Sequence, residues 1–164
     1  MTIAPARSKL IDEAVAKALK RVFLDLSHGG HMPGWTVMGL NPGAAVVHDP
    51  LVFPWPFADD SVYYIRCLNV VQHIPHACAE HRTDPLSELL REFYRVLMPG
   101  GEVWITCPHA SNTRQAWADP TNRRALTEEV FADRGFVMSH GFSLDGKGQI
   151  HEMQVMLTRP ENRP

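Results

Sequence analysis

The run from residue 61 to residue 107 constrains the fold of this chain more than any other part of it. Residues 61–67 (Ser-Val-Tyr-Tyr-Ile-Arg-Cys) have the β-branched and aromatic make-up of a strand. Residues 85–98 read as a helix. Asp84 is placed to cap it, Pro85 sits at its first position, and Leu86, Leu89, Leu90, Phe93 and Leu97 fall on one face. Pro99-Gly100-Gly101 stops that helix, and residues 102–107, with Val103, Trp104 and Ile105, form a second buried strand. Strand, helix and strand in this order define a right-handed crossover, and therefore an α/β sheet rather than a helical bundle or an antiparallel barrel.

The flanking segments extend that sheet. Residues 8–20 read as an N-terminal helix, with Ser8 as its N-cap and Ile11, Ala14, Val15 and Ala18 in one stripe. Short strands are expected at 21–26, 35–40 and 44–48. Between the first two, Ser27–Gly34 packs Gly29, Gly30, Pro33 and Gly34 into eight residues. That is too short for a crossover helix, so the sheet is trimmed in its N-terminal half. Residues 53–60 form a proline-punctuated loop, and 108–125 are polar with little regular structure. Thr127 is placed to cap a short helix over 128–134 that Gly135 ends. Strands over 136–142 and 151–158 close the chain as a hairpin, the last strand antiparallel, and 159–164 read as a flexible tail. The whole, residues 1–164, is one domain, long enough to bury about two-thirds of its unfolded surface.

Composition removes several classes of function. A net charge of −2 gives no general attraction for nucleic acid or an anionic membrane. No apolar stretch approaches the ~18 residues of a membrane helix, and the N-terminus lacks a signal-peptide core, so a cytoplasmic protein is expected. The three cysteines, Cys67, Cys78 and Cys107, are too few for a disulfide framework. Cys67 and Cys107 each close an apolar run, as buried free thiols do. His73, His76, Cys78 and His81 match no familiar metal-ligand spacing, and no metal is expected.

Four segments, in order, carry a family likeness: Leu24-Asp25-Leu26; His48-Asp49 followed by Phe53-Pro54-Trp55-Pro56-Phe57-Ala58-Asp59-Asp60-Ser61-Val62; Gln72-His73-Ile74-Pro75; and Pro99-Gly100-Gly101 with the later Asp119-Pro120-Thr121 and Leu126-Thr127-Glu128-Glu129-Val130-Phe131. From Arg21 to about Phe142 the chain resembles the methyltransferase type 11-like group of class I S-adenosylmethionine (SAM)-dependent methyltransferases, found in small bacterial and phage proteins. The resemblance implies a Rossmann-like, mostly parallel sheet and SAM as cofactor. It implies cofactor contacts from Asp25, Ser27, His28, Gly29, Gly39, Asp49, Pro50 and Asn69.

Two positions depart from that family's pattern. Its cofactor loop reads Leu-Asp-Leu-Gly-Cys-Gly, whereas Leu24-Asp25-Leu26 here continues as Ser27-His28-Gly29. The family ends its second strand on an acidic residue that holds both ribose hydroxyls, and that position here is Gly39. Losing a charge-assisted, bidentate contact of about 1.5–3 kcal/mol per hydrogen bond weakens SAM roughly 10- to 100-fold or more.

Ligands bind outside the carboxyl ends of the strands in open α/β sheets, which puts Leu68, Asn69, Pro108, His109 and Asn112 at the mouth of the site. His109 is the candidate general base toward a methyl acceptor. Trp55 and Phe57 read as packing for their loop, and Asp49 as either a cofactor contact or a cap for the turn after it. Two functions follow as expectations: SAM-dependent methyl transfer to an unidentified acceptor with weakened cofactor binding, or a catalytically silent methyltransferase-like module that binds a partner.

Overall fold

The computed structural model describes residues 21–27, 32–76, 83–132 and 134–161. Seven strands form one sheet: β1 (Val22–Asp25), β2 (Thr36–Gly39), β3 (Val46–Val47), β4 (Val62–Leu68), β5 (Leu97–Cys107), β6 (Val137–Leu144) and β7 (Ile150–Thr158), in the spatial order β3-β2-β1-β4-β5-β7-β6. Strands β1 to β5 pair in parallel, and β7 lies antiparallel to both β5 and β6. The expected mostly parallel sheet with an antiparallel last strand is therefore the architecture found. The expected helix over 8–20 lies outside the described residues.

Helix α1 (Pro85–Val96) forms for the reasons its sequence gives. The Asp84 side chain accepts the Ser87 N–H, Pro85 occupies the first turn, and Leu86, Leu89, Leu90, Phe93 and Val96 are buried. They pack on Ile65, Cys67, Val103, Ile105, Val155 and Leu157, the alternate residues of β4, β5 and β7 that face α1. Phe131, from a 3-10 turn at Glu128–Phe131, completes that core. The opposite face of the sheet carries a smaller cluster of Phe23, Tyr64 and Met156 with Trp35, Tyr63 and Trp104 against it.

Several local expectations are corrected. The helix ends at Val96, and β5 starts at Leu97, so Pro99-Gly100-Gly101 lies within the strand segment and not in a loop. Its glycines answer to space and conformation. Gly100 has φ +76°, and a Cβ on Gly101 would stand 2.9 Å from the Met98 carbonyl oxygen and 3.0 Å from that of Tyr63. The helix expected over 128–134 is only the 3-10 turn, for which Thr127 supplies no side-chain cap. Arg159, where the tail was expected to begin, is buried, bonds the Asp60 carboxylate and the Leu97 carbonyl, and lies over the Tyr94 ring. One cation in reach of three partners fixes the chain there, and residues 162–164 lie outside the described part.

Candidate functional site

Parallel pairing brings the carboxyl ends of β1, β2, β3, β4 and β5 to one edge of the sheet, ending on Asp25, Gly39, Val47, Leu68 and Cys107. The chain runs outward from β1 through β2 to β3 and then crosses to β4, on the other side of β1. The crevice above β1 and β4 is thus the topological switch point, where sheets of this kind hold ligands.

At that point Asp25 is tied inward. It pairs with Arg66 across the β1–β4 register, and the guanidinium grips it bidentately: Nε to Oδ1 at 3.1 Å and Nη2 to Oδ2 at 2.6 Å. Both side chains are buried, Asp25 to 1% exposure, and Arg66 also lies 5.7 Å from the Trp35 ring centre. Asp25 Oδ1 additionally accepts the Ser27 N–H at 2.9 Å, while the Ser27 hydroxyl accepts the Leu68 N–H at 3.0 Å. These bonds lace the ends of β1 and β4 together. His28 and Gly29 lie outside the described residues.

At the end of β2 the surroundings are open. A Cβ built on Gly39 would meet no atom of the described residues within 4 Å. The His48 N–H donates to the Gly39 carbonyl at 3.1 Å, which sets the His48-Asp49-Pro50 turn beside that space. Asp49 is half-buried and accepts the Leu51 N–H on Oδ1 at 2.9 Å, an Asx turn. The Pro50 carbonyl accepts the indole N–H of Trp55 at 3.0 Å. Trp55 itself is core: 2% exposed, its backbone N–H on Glu92, its ring edge-on to Phe93. Asn69, past the end of β4, is exposed with φ 55°, a left-handed conformation that asparagine tolerates.

His109, two residues beyond β5, is 7% exposed and bonded at both ring nitrogens. Nδ1 accepts the Ser111 backbone N–H at 3.2 Å and lies 2.7 Å from the Ser111 hydroxyl, and Nε2 lies 3.0 Å from Glu128 Oε2. A nitrogen that accepts an amide N–H carries no proton, so Ser111 donates to Nδ1 and Nε2–H donates to Glu128. Phe142 packs edge-on at 5.3 Å and fixes the ring plane.

The polar stretch over 108–125 is more ordered than its composition suggested. It holds helix α2 (Thr113–Ala116), capped by Asn112. Asn112 Nδ2 also donates to the Ile150 carbonyl at 2.9 Å, tying α2 to the start of β7. Ser111, Asn112, Thr113, Arg114, Gln149 and Ile150 enclose an open pocket of about 380 Å³. His73 sits apart, its Nδ1 3.1 Å from the Thr121 hydroxyl, which donates to Asp119 at 2.6 Å. That hydrogen bond holds the exposed Asp119 carboxyl below the usual carboxylate range.

Sequence reasoning missed three partners here. Arg66 was legible as a charge inside an apolar strand, one that must find a counter-ion if buried. Ser111 and Glu128 carried no pattern linking them to His109. Cys67 and Cys107 are buried as expected, and burial pushes both thiols up, Cys107 to about 12, so neither supplies a thiolate. Among the described residues, no three His, Cys, Asp or Glu side chains converge as a metal site would require, and Cys78 and His81 lie outside them. Nor is any described helix long and apolar enough to cross a membrane.

The strand order defines a class: the chain has the class I SAM-dependent methyltransferase fold. A SAM-dependent methyltransferase from Archaeoglobus fulgidus superposes with a TM-score of 0.67 at 13% identity, covering 92% of this chain and 94% of that one. The N-methyltransferase NodS from Bradyrhizobium japonicum WM9 gives 0.57 at 13% identity, over 94% and 96% of the two chains. A complex between the Haloferax volcanii Trm112 methyltransferase activator and a putative methyltransferase gives 0.59 at 16% identity, over 93% of each chain. No protein-family model and no curated protein matches the sequence.

Proposed function

We propose that this chain is a SAM-dependent methyltransferase with a weakened cofactor site, SAM lying across the carboxyl ends of β1, β2 and β4. The observation that carries this reading is the open space at Gly39, flanked by the half-buried turn at Asp49 and set beside the switch point. Asp49, Pro50, Asn69 and the backbone at Ser27 are the groups that remain to meet the ligand. The fit is partial, because Asp25 is held by Arg66 and no carboxylate ends β2. When bound, SAM supplies a sulfonium leaving group, so the protein's share is positioning, and few side chains need be indispensable. Acting as general base, His109 must exchange the Ser111 hydroxyl for the acceptor at Nδ1.

A second reading, a catalytically silent module that binds a partner, is favoured by the inward bonding of Asp25 and Ser27. Thermal unfolding in SAM separates the two. At 1 mM SAM, a dissociation constant between 1 mM and 10 µM adds about 0.4–2.7 kcal/mol, or about 1–10 °C for a domain of this size. A saturable rise within that range is expected. No rise at 10 mM leaves the silent module as the function.

A further inference from the structure

We propose that Ser111 is a nucleophilic hydroxyl, activated by His109 and positioned through Glu128, that opens carboxylic esters bound in the pocket between the loop after β5 and the start of β7. Neither the cofactor crevice nor methyl transfer is needed for this chemistry, and the proposal stands independently of both.

Three observations converge. First, the hydrogen bonds set the direction of proton flow: Ser111 O–H to Nδ1 at 2.7 Å, and Nε2–H to the Glu128 carboxylate at 3.0 Å. A hydroxyl aimed at an unprotonated imidazole nitrogen, with the opposite nitrogen held by a carboxylate, follows the logic that turns serine into a nucleophile on unrelated folds, here with the two ring nitrogens exchanged relative to the serine–histidine–aspartate triad. Second, the base is preorganised, and the residue that bears the hydroxyl lies at the surface. The imidazole is buried and braced by Phe142, whereas Ser111 is exposed. Third, Ser111 is one of the residues lining a pocket of about 380 Å³, whose two walls are joined by the bond from Asn112 to the Ile150 carbonyl. Arg114 on the same wall favours an ester that carries a carboxylate.

The step balances without any further reactant than the ester and water. Ser111 Oγ bonds to the ester carbonyl carbon while its proton passes to His109 Nδ1, and Glu128 faces the imidazolium so formed. The alkoxide leaves with that proton as an alcohol, and an acyl group stays on Ser111. Water, deprotonated by the same nitrogen, then releases the carboxylic acid and restores the hydroxyl. Glu128 touches no reacting atom. It is a positioning residue that holds the ring in the tautomer with Nδ1 bare.

An alkyl fluorophosphonate tests the proposal on the whole chain. Attack by Ser111 expels fluoride and leaves a stable phosphonyl adduct, read by intact mass and located by peptide mapping. One adduct per chain, on Ser111, is expected, and Ser111→Ala, a change at an exposed residue, abolishes it. Glu128→Gln slows labelling roughly tenfold or more with an unchanged melting temperature, which a merely structural hydrogen bond does not do. His109→Gln slows it roughly 100-fold or more where that variant folds. A folded parent that takes no label in excess reagent, or an adduct that persists in Ser111→Ala, overturns the proposal. In that case the Ser111 hydroxyl only closes its turn.

Discussion

Arg66→Ala lowers the unfolding free energy by about 3–5 kcal/mol, because it strands a buried carboxylate rather than removing a surface charge. Asp25 is 1% exposed, and in the parent its two oxygens meet the Arg66 fork. Without Arg66 the Ser27 N–H is the described donor left to it, and one amide does not offset the desolvation of a carboxylate. The indole of Trp35 loses its overlying cation as well. In a domain of this size the loss is about 6–20 °C in melting temperature. Replacing the pair together, Asp25→Leu with Arg66→Met, is expected to cost much less than Arg66→Ala alone, since a pair swapped for apolar groups of similar volume is often near neutral. A drop below about 1 kcal/mol for Arg66→Ala, measured by reversible denaturant unfolding, contradicts this account of how β1 and β4 are joined.

Phe93→Ala has an effect of the same size for a different reason. Phe93 is fully buried at the centre of the α1 face, among the largest side chains of the core, and its ring meets Trp55 with centroids 5.7 Å apart. Truncation removes that contact and leaves a cavity between α1 and the sheet, at a cost of about 3–5 kcal/mol. The consequence reaches the crevice, because the Trp55 indole anchors Pro50 through its carbonyl and so fixes the turn that bears Asp49. Urea unfolding of the variant, with the slope unchanged, checks the magnitude.

How much of this was legible in the sequence differs between fold and site. The crossover from β4 through α1 to β5 was plain, because the cap, the proline, the apolar stripe and the flanking strands all agree. The shortness of the connection between β1 and β2 was legible from its length alone, since ten residues separate Asp25 from Thr36, and residues 28–31 of it lie outside the described part. The end of α1 was misplaced by two residues, as Leu97 fits both the helix stripe and the strand that follows. In the site, the family resemblance pointed to Asp25, Gly39 and Asp49, and the rule that ligands lie beyond strand ends pointed to Asn69 and His109; Asp25 and Gly39 do end β1 and β2. What neither revealed is how those side chains are bonded. Asp25 faces Arg66 from 41 residues away and His109 faces Glu128 from 19, and only tertiary pairing brings such groups together.

The claim that the open end of β2 is the ribose side of a SAM site is tested most directly at Gly39. Among the described residues no atom lies within 4 Å of a Cβ there, and its φ lies outside the left-handed region, so the described surroundings leave room for an aspartate. Calorimetric titration of SAM into Gly39→Asp and into the parent compares their affinities under one set of conditions. The account predicts that Gly39→Asp tightens SAM by one kcal/mol or more, about fivefold to a hundredfold, through the restored charge-assisted hydrogen bonds. An affinity unchanged from the parent, in a variant that melts at the parent's temperature, contradicts it.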